Sequence, residues 1–568
     1  MIRLVFVCLA FTTPPLLAQS NVSSLTGMVS DSTGAVVAGV AITATNQNTA
    51  VATRTRTNAE GVYVFPSLVS GPYRVEFEAP GFKKNQLQSL VLETAQRARL
   101  DVTLELGDVR QIVDVVAATT PLQQETSEIS ETITAKDIQS IPLNGRVPYA
   151  LLALTPGVSS GGDDPSNLNF DSALSLNGSR KGSNAYVIDG ASTTHIGGIA
   201  ERIGSIESIQ EFKVLASTYS AEYGRTSGGV ITFQVKGGTQ EFHGALYEFH
   251  RNTVLTANAW ENNARAREKP GLIRNEFGGA LGGPVPGFGK KMFFFVNYEG
   301  IRDAIPLNKV RTIPDPGLRG GDFSRVPVTI FEPGSTQPLA GNRIPASRLD
   351  PAAQKVMALF PAPNTGGIFN SRFGIAPNNW VRTQGRSDNK NYGTMRIDYH
   401  PTEGNKFFFT YSHVNEGPRD LVRDFENVLN SEIGPRFRNI RRATFGYTRF
   451  LTPALSSEFL LSAQRDPRVI NPWYDNFDVT RELGVQRRVG TTMPRLILSG
   501  GFGTFGDARY QDWVHQPATI SHIGTWLKGR HTIKFGGQLY QNQFWYGAGD
   551  HLSGTYNFNG EITGNGVA

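Results

Sequence analysis

The feature that most restricts this chain is apolar–polar alternation repeated through paired segments of its second half. Met395, Ile397 and Tyr399 alternate with Arg396, Asp398 and His400, and a turn at Pro401-Thr402-Glu403-Gly404-Asn405 returns the chain through Lys406-Phe407-Phe408-Phe409-Thr410-Tyr411. Ala443 to Thr448 turns at Thr452-Pro453-Ala454 into Ser457 to Ser462, and Ser521 to Trp526 turns at Lys528-Gly529-Arg530 into Thr532 to Leu539. Successive side chains of a strand point to opposite faces, so such segments are two-faced strands. In the last of them Ile533, Phe535 and Leu539 share one face, and Thr532, Lys534 and Gln538 the other. Loops of roughly 30 and 55 residues separate these hairpins, while the turns inside them take only a few. Two-faced strands with short turns at one end and long loops at the other form barrels that cross a membrane as strands. Phe407, Tyr411, Phe450, Trp526, Tyr540 and Trp545 are expected to mark the interfacial girdles.

Composition removes the competing classes. Mean hydropathy is −0.25 and no run approaches the ~20 apolar residues of a spanning helix. Aromatics make up 10% of the chain and net charge is only +6, so disorder does not describe it. A single cysteine excludes a disulfide scaffold. Leu4 to Leu17 is an apolar stretch behind Arg3, broken by Pro14-Pro15 and followed by Ala18, which predicts a secretory signal peptide over residues 1–18. Cys8 would leave with it, and an exported chain without disulfides fits a bacterial envelope.

Residues 22–106 predict a small β-sandwich. Short alternating runs such as Val40 to Thr45, Val62 to Phe65 and Tyr73 to Phe77 are punctuated by Asp31-Ser32-Thr33-Gly34, Asn58-Ala59-Glu60-Gly61 and Gly71-Pro72. Thr57-Asn58-Ala59-Glu60-Gly61-Val62-Tyr63-Val64-Phe65 and the run from Gly71 to Phe82 resemble the carboxypeptidase-regulatory-like domain. That resemblance implies a transthyretin- or carbohydrate-binding-like fold and says little of function.

Residues 107–238 change character. Thr134 to Ile138 is a helix start leading to Ile141-Pro142-Leu143-Asn144-Gly145-Arg146, and Tyr149 to Leu154 is expected to be a short apolar helix. Arg180 precedes a strand ending at Asp189-Gly190; Ile206 to Val214 leads to Tyr223-Gly224, and Gly228-Gly229 opens Val230 to Lys236. Asp189-Gly190 is a tight turn, and Gly228-Gly229 permits close backbone approach. In this order the phrases resemble the plug of TonB-dependent outer-membrane receptors, an α+β domain, with Arg180, Asp189, Gly190, Tyr223, Gly224, Gly228 and Gly229 on its motif. The ending Gly-Gly-Val-Ile-Thr-Phe-Gln-Val-Lys departs mildly from the family's. The resemblance also implies a short energy-coupling segment near the plug's start. Ile112, Val113, Asp114, Val115 and Val116 are the local candidate, since a β-prone segment can add to a sheet edge; the other reading is a linker or the sandwich's last strand.

The whole is therefore expected to be mainly β: a sandwich, a plug and, over residues 241–568, part of an outer-membrane barrel. Asn275 to Gly279 and Phe293 to Gly300 add a resemblance to the Oar-like subgroup of these transporters. A plugged barrel of 22 strands needs on the order of 440 residues, at ~20 per strand and connection. From Glu241 there are 328, which hold eight to ten recognisable strands. An open barrel leaves unpaired edges in lipid, so the expectation is a fragment or a truncated gene product.

Other chemistry is weak. Gly157-Val158-Ser159-Ser160-Gly161 has nucleophile-elbow spacing but enters a loop rather than a strand–turn–helix. His400 and Glu403 have zinc-peptidase spacing at a hairpin turn without a specified third ligand. Gly287 to Lys291 lacks parts of a phosphate loop, Asp163 and Asp164 suit solvated loop acids, and the basic pI of 9.2 is spread without a stripe, against nucleic acid. The resemblance implies no enzyme, cofactor or metal. It implies a transporter in the outer membrane with its sandwich in the periplasm, a TonB-type coupling protein, lipid around the barrel, and a ligand such as an iron chelate, an oligosaccharide or a protein. The alternative is a surface adhesion or carbohydrate-binding structural protein without transport.

Overall fold

A computed structural model describes residues 22–107, 112–115, 126–159, 174–180, 182–195, 203–264, 266, 268–367, 375–419, 423–431, 434–474, 477–485, 492–506, 510–549 and 553–559. The expected signal segment, Val116, Asp163 and Asp164 lie outside these residues.

The sandwich has strands β1 (Ser23–Asp31), β2 (Ala41–Asn46), β3 (Ala52–Arg56), β4 (Val62–Leu68), β5 (Gly71–Glu78), β6 (Lys84–Leu92), β7 (Arg97–Arg99) and β8 (Val102–Leu104). One sheet runs β4-β1-β7, with β8 also on β1; the other runs β3-β2-β5-β6 and continues to β9 (Ile112–Val115). Alternate residues of β1 and β2 are buried, which is why period-two patterning specifies this packing. Leu25, Val29, Ile42, Tyr63, Val75, Phe77 and Leu90 fill the space between the sheets. The Tyr63 hydroxyl donates to the Leu100 carbonyl at 2.7 Å, so the ring is buried without an orphaned polar end. Gly27 is required here, because a Cβ would sit 1.8 Å from the Leu100 oxygen.

The plug begins with β10 (Ile129–Thr134) and α1 (Ala135–Ser140). Thr134 and Asp137 close a capping box at the expected helix start. Pro148–Leu154 is a 3₁₀ helix, not an α-helix, a form suited to so short a run opened by proline. Two-residue strands β11 (Val158–Ser159) and β12 (Ser175–Leu176) pair with one another. The main sheet has the order β10-β15-β16-β13-β14, from β13 (Ala185–Ile188), β14 (Ala191–Ser192), β15 (Ile209–Ser217) and β16 (Val230–Val235). Phe212, Val214, Ile231, Phe233, Tyr149, Leu151 and Leu152 pack together into a core made only of plug residues.

The wall is an antiparallel meander. Strands β17 (His243–Asn252), β18 (Ile273–Pro284), β19 (Met292–Arg311), β20 (Trp380–Thr402), β21 (Asn405–Arg419), β22 (Arg436–Thr452) and β23 (Leu455–Ile470) pair in chain order. After β24 (Arg495–Leu498) and β25 (Gly503–Phe505) in a loop, β26 (Tyr510–Lys528) and β27 (His531–Gly549) complete nine wall strands among the described residues. Strand β28 (Thr555–Phe558) pairs with β24. In β19, Asn297 and Glu299 are buried while Val296 and Tyr298 stand exposed, so polar side chains face inward there and apolar ones outward, whereas nearer the short turn Phe293 and Phe295 also face inward. Four wall turns are short, at 285–291, 403–404, 453–454 and 529–530; the opposite end carries long loops.

Two expectations change. The loops flanking β22 and β23 are shorter than the alternation suggested, because β21, β23 and β26 run on through polar residues where alternation is lost. At ~3.3 Å per residue, the 23 residues of β20 far exceed a ~25 Å apolar band, so its end stands above the membrane level. Tyr540 is not a girdle residue: its ring lies 3.8 Å from the Arg225 guanidinium and faces the plug. Among the described residues of the long loops, Phe360, Phe425, Leu429, Val479 and Phe505 form a separate apolar core with Trp380 at the start of β20.

Candidate functional site: the plug between wall and sandwich

The plug's own apolar core is inside it, and it meets the wall through ion pairs and hydrogen bonds together with a ring contact of His195 with Trp513 and Phe544. Asp189 sits at φ 48° in the turn after β13, followed by Gly190 at φ 81°. Its Oδ1 accepts from the Val235 amide at 3.0 Å and from Arg396 Nη1 at 3.2 Å; its Oδ2 accepts from Thr410 Oγ1 at 2.9 Å. Arg396 also donates to the Val235 carbonyl at 3.2 Å and to Asp398 at 2.9 Å, over the Phe408 ring. One carboxylate therefore joins two plug strands to β20 and β21. All of it is buried, where a charge persists only when paired and hydrogen-bonded.

A second knot ties the plug to β17 and β19. Arg146 follows Gly145 in a left-handed pair at φ 48° and 71°, which turns its guanidinium toward the wall. Its Nη2 meets Glu207 at 2.9 Å and its Nε meets Glu299 of β19 at 3.3 Å. The Tyr247 hydroxyl and Ser205 Oγ donate to the same Glu299 oxygen at 2.7 and 2.9 Å. The rings of Tyr247 and Phe249 lie 4.6 and 4.9 Å from the guanidinium.

A third knot reaches all three bodies. Glu222 accepts from Lys534 of β27 at 3.2 Å and from Arg97 of the sandwich at 2.6 Å. Burial opposes its charge, but Lys534 and Arg97 hold its carboxyl below the usual value.

The sandwich closes the short-turn end. Asn58 donates to the Gly529 carbonyl at 2.7 Å, Thr55 to that of Pro453 at 3.3 Å, and Lys406 to Thr53 at 2.8 Å, while Arg54 pairs with Glu403. Against the plug, the Thr94 amide donates to Glu211 at 2.5 Å and Ser70 to Gln234 at 2.7 Å. Burial pushes the Glu211 carboxyl up from its ordinary value. Where the three bodies meet there is a cavity of about 80 Å³ lined by Ser70, Tyr73, Gln234, Arg396, His400 and Lys406.

Of the expected plug residues, Asp189, Gly190, Gly228 and Gly229 meet around the β13–β16 pair. A Cβ on Gly228 would lie 2.4 Å from Asn184 Oδ1, and on Gly229 2.8 Å from the Leu215 carbonyl. Tyr223 is buried against Leu215 and Val230, whereas a Cβ on Gly224 would meet nothing. Arg180 is exposed and takes no part in the three knots. Ile112 to Val115 belong instead to the sandwich edge, paired in parallel with Lys84 to Leu87. Arg146, Glu299, Arg396 and Glu222 were visible in the sequence only as a loop arginine, two polar strand positions and a turn glutamate. The available signal was a charged residue recurring on the face opposite a strand's apolar one.

The competing motifs resolve differently. Gly157 to Ser159 enters a two-residue strand, and Ser160 and Gly161 lie outside the described residues. Glu403 is turned to Arg54, and no group of three or more His, Cys, Asp or Glu suited to a metal occurs among the described residues. No described helix is long and apolar enough to cross a membrane.

Three family models match the chain: the outer membrane beta barrel domain over residues 234–568, the TonB-dependent receptor plug domain over 122–230 and the carboxypeptidase regulatory-like domain over 24–105. The TonB-dependent transporter Oar of Myxococcus xanthus is 27% identical over 278 residues, which cover 46% of this chain and 25% of that protein. Among solved structures, the outer membrane transporter YddB from Escherichia coli aligns at a TM-score of 0.47 and 13% identity, over 76% of this chain and 50% of that one. The copper transporter OprC aligns at 0.40 and 12%, over 74% and 47%. The chain thus spans about a quarter of the curated relative and half of these solved transporters.

Proposed function

This chain belongs to the outer membrane β-barrel family as an Oar-like TonB-dependent receptor of the outer membrane, and from that premise we propose that it moves a large ligand through a plugged barrel under periplasmic energy coupling. One observation carries the reading: the plug keeps a complete apolar core of its own, while ion pairs and hydrogen bonds hold it to the wall. A domain bound through a shared apolar core would have to expose that core in order to move. Charged groups instead exchange their partners for water as a gap opens, so this plug can shift without unfolding.

The polarity of the wall supports the placement of the sandwich in the periplasm, beneath the short turns, with the long loops outside. Ligand would meet the loop module first; its class, among iron chelates, oligosaccharides and proteins, is set by that surface. A periplasmic protein of the TonB type would pull on Ile112–Val116. No bond of the ligand is made or broken, and the contacts around Asp189, Arg146 and Glu222 act as positioning devices. With the plug in place and the sandwich below it, the conformation described is a closed one.

Deleting residues 112–116 from the full gene in its native host tests this. Loss of binding to the periplasmic domain of the host's coupling protein, with the phenotype of a whole-gene deletion, is expected. Wild-type behaviour of the deletion strain would overturn the coupling role.

A further inference from the structure

Strand β6 would be the free edge of the sandwich's five-stranded sheet if β9 did not cover it. The chain reaches this edge in two passes. Residues 105–107 first run antiparallel beside 81–83, with the Lys83 amide donating to the Glu105 carbonyl at 2.8 Å and Gly107 to Gly81 at 3.1 Å. It then returns as β9, parallel to β6, with Lys84 opposite Ile112, Asn85 opposite Val113, Gln86 opposite Asp114 and Leu87 opposite Val115. An exposed strand edge is a template for any extended segment. Here it is occupied by the segment that lies between sandwich and plug.

We propose that the β6 edge is a holding site for the coupling segment, which must leave it before the periplasmic coupling protein can take hold. The inference rests on the coupling role proposed above. Its physical basis is competition for the backbone of one short strand. Four paired positions make a contact with no stability of its own outside a sheet, so release is a local event that leaves the sandwich core intact. While β9 stays on β6, a pull on it is borne by the sandwich, which is tied to three wall turns and to the plug. Once β9 is peeled off, the pull passes along residues 116–125 to the plug.

A reversible lock separates the possibilities. The variant is Asn85→Cys/Val113→Cys in the full chain, with Cys8→Ser to remove the one native cysteine. The pair is expected to oxidise readily, and the oxidised form to bind the purified periplasmic domain of the host's coupling protein at least tenfold more weakly than the same protein after reduction. Each single-cysteine variant should match wild type. Failure of the disulfide to form would overturn the holding site. So would equal binding by oxidised and reduced protein, which would mean that a partner strand adds to the outer edge of β9 without displacing it. Wild-type protein that itself fails to bind the domain would overturn the coupling role and the holding site together. Binding by wild type with no effect of the lock removes the holding site alone.

Discussion

Asp189 shows how much one side chain can carry when its backbone is held in an unusual conformation. The Asp-Gly pair was legible as a turn, because both residues adopt positive φ. Its partners were not, since Arg396 and Thr410 lie more than two hundred positions away. Truncation by Asp189→Ala leaves Arg396 with Asp398 but removes three acceptor contacts, and should destabilise the plug against the wall by roughly 3–5 kcal/mol. Denaturant unfolding of the detergent-solubilised protein measures this. Asp189→Asn, which retains one acceptor oxygen, should cost less. The glycines divide in the same way. Gly229→Ala should cost about 1–3 kcal/mol, because the new methyl group meets the Leu215 carbonyl and Leu176. Gly224→Ala should fall within about 0.5 kcal/mol of wild type, because nothing lies near it. Equal effects at the two positions would show that motif membership, not close approach, decides the requirement.

Among the elements, the hairpins were the most legible. Alternation and turn residues locate β20–β21, β22–β23 and β26–β27 wherever one face meets apolar surroundings and the other meets the plug. The pattern fades toward the long-loop end, because a strand standing above the membrane has water on its outer face and no longer needs an apolar side. The loop core escaped the sequence for a different reason. Phe360, Phe425 and Phe505 come from three separate loops, and no local period links them. The Phe360 ring packs edge-on against the other two, 4.8 Å from that of Phe505. Phe505→Ala should cost about 3–5 kcal/mol of local stability. Hydrogen exchange is then expected to rise across residues 423–431 and 492–506, while the plug strands β15 and β16 keep their protection. Loss of protection in both regions at once would mean that loops and plug unfold as one unit.

For the molecule as a whole, the three bodies were legible from their own patterns, but their docking was not. The sandwich–plug interface is built from Thr94, Glu211, Ser70 and Gln234, residue types that sit equally well in water. Because burial raises the Glu211 carboxyl, the docked state holds a proton more tightly than the undocked one. Docking gains this contribution in full below the ordinary carboxylate value and loses it as pH rises through the raised one. Glu93, Glu128, Lys213 and Arg97 also face this site, and Lys213 is buried with its own affinity for a proton lowered. Hydrogen exchange at residues 93–97 should therefore quicken with rising pH more steeply than intrinsic exchange, and Glu211→Gln should remove the excess. An unchanged profile in that variant would assign the dependence to the other groups. The meander also has a consequence in time. Every wall strand pairs with a neighbour in chain order, and the plug's sheet closes within residues 129–235, whereas the bonds from Asp189 to Arg396 and from Glu222 to Lys534 span 207 and 312 positions. Contacts so distant along the chain form late, after nearer ones have shortened the loops between them. The plug's sheet and each wall hairpin are thus shaped by nearer partners, and the seam between plug and wall is the last to knit.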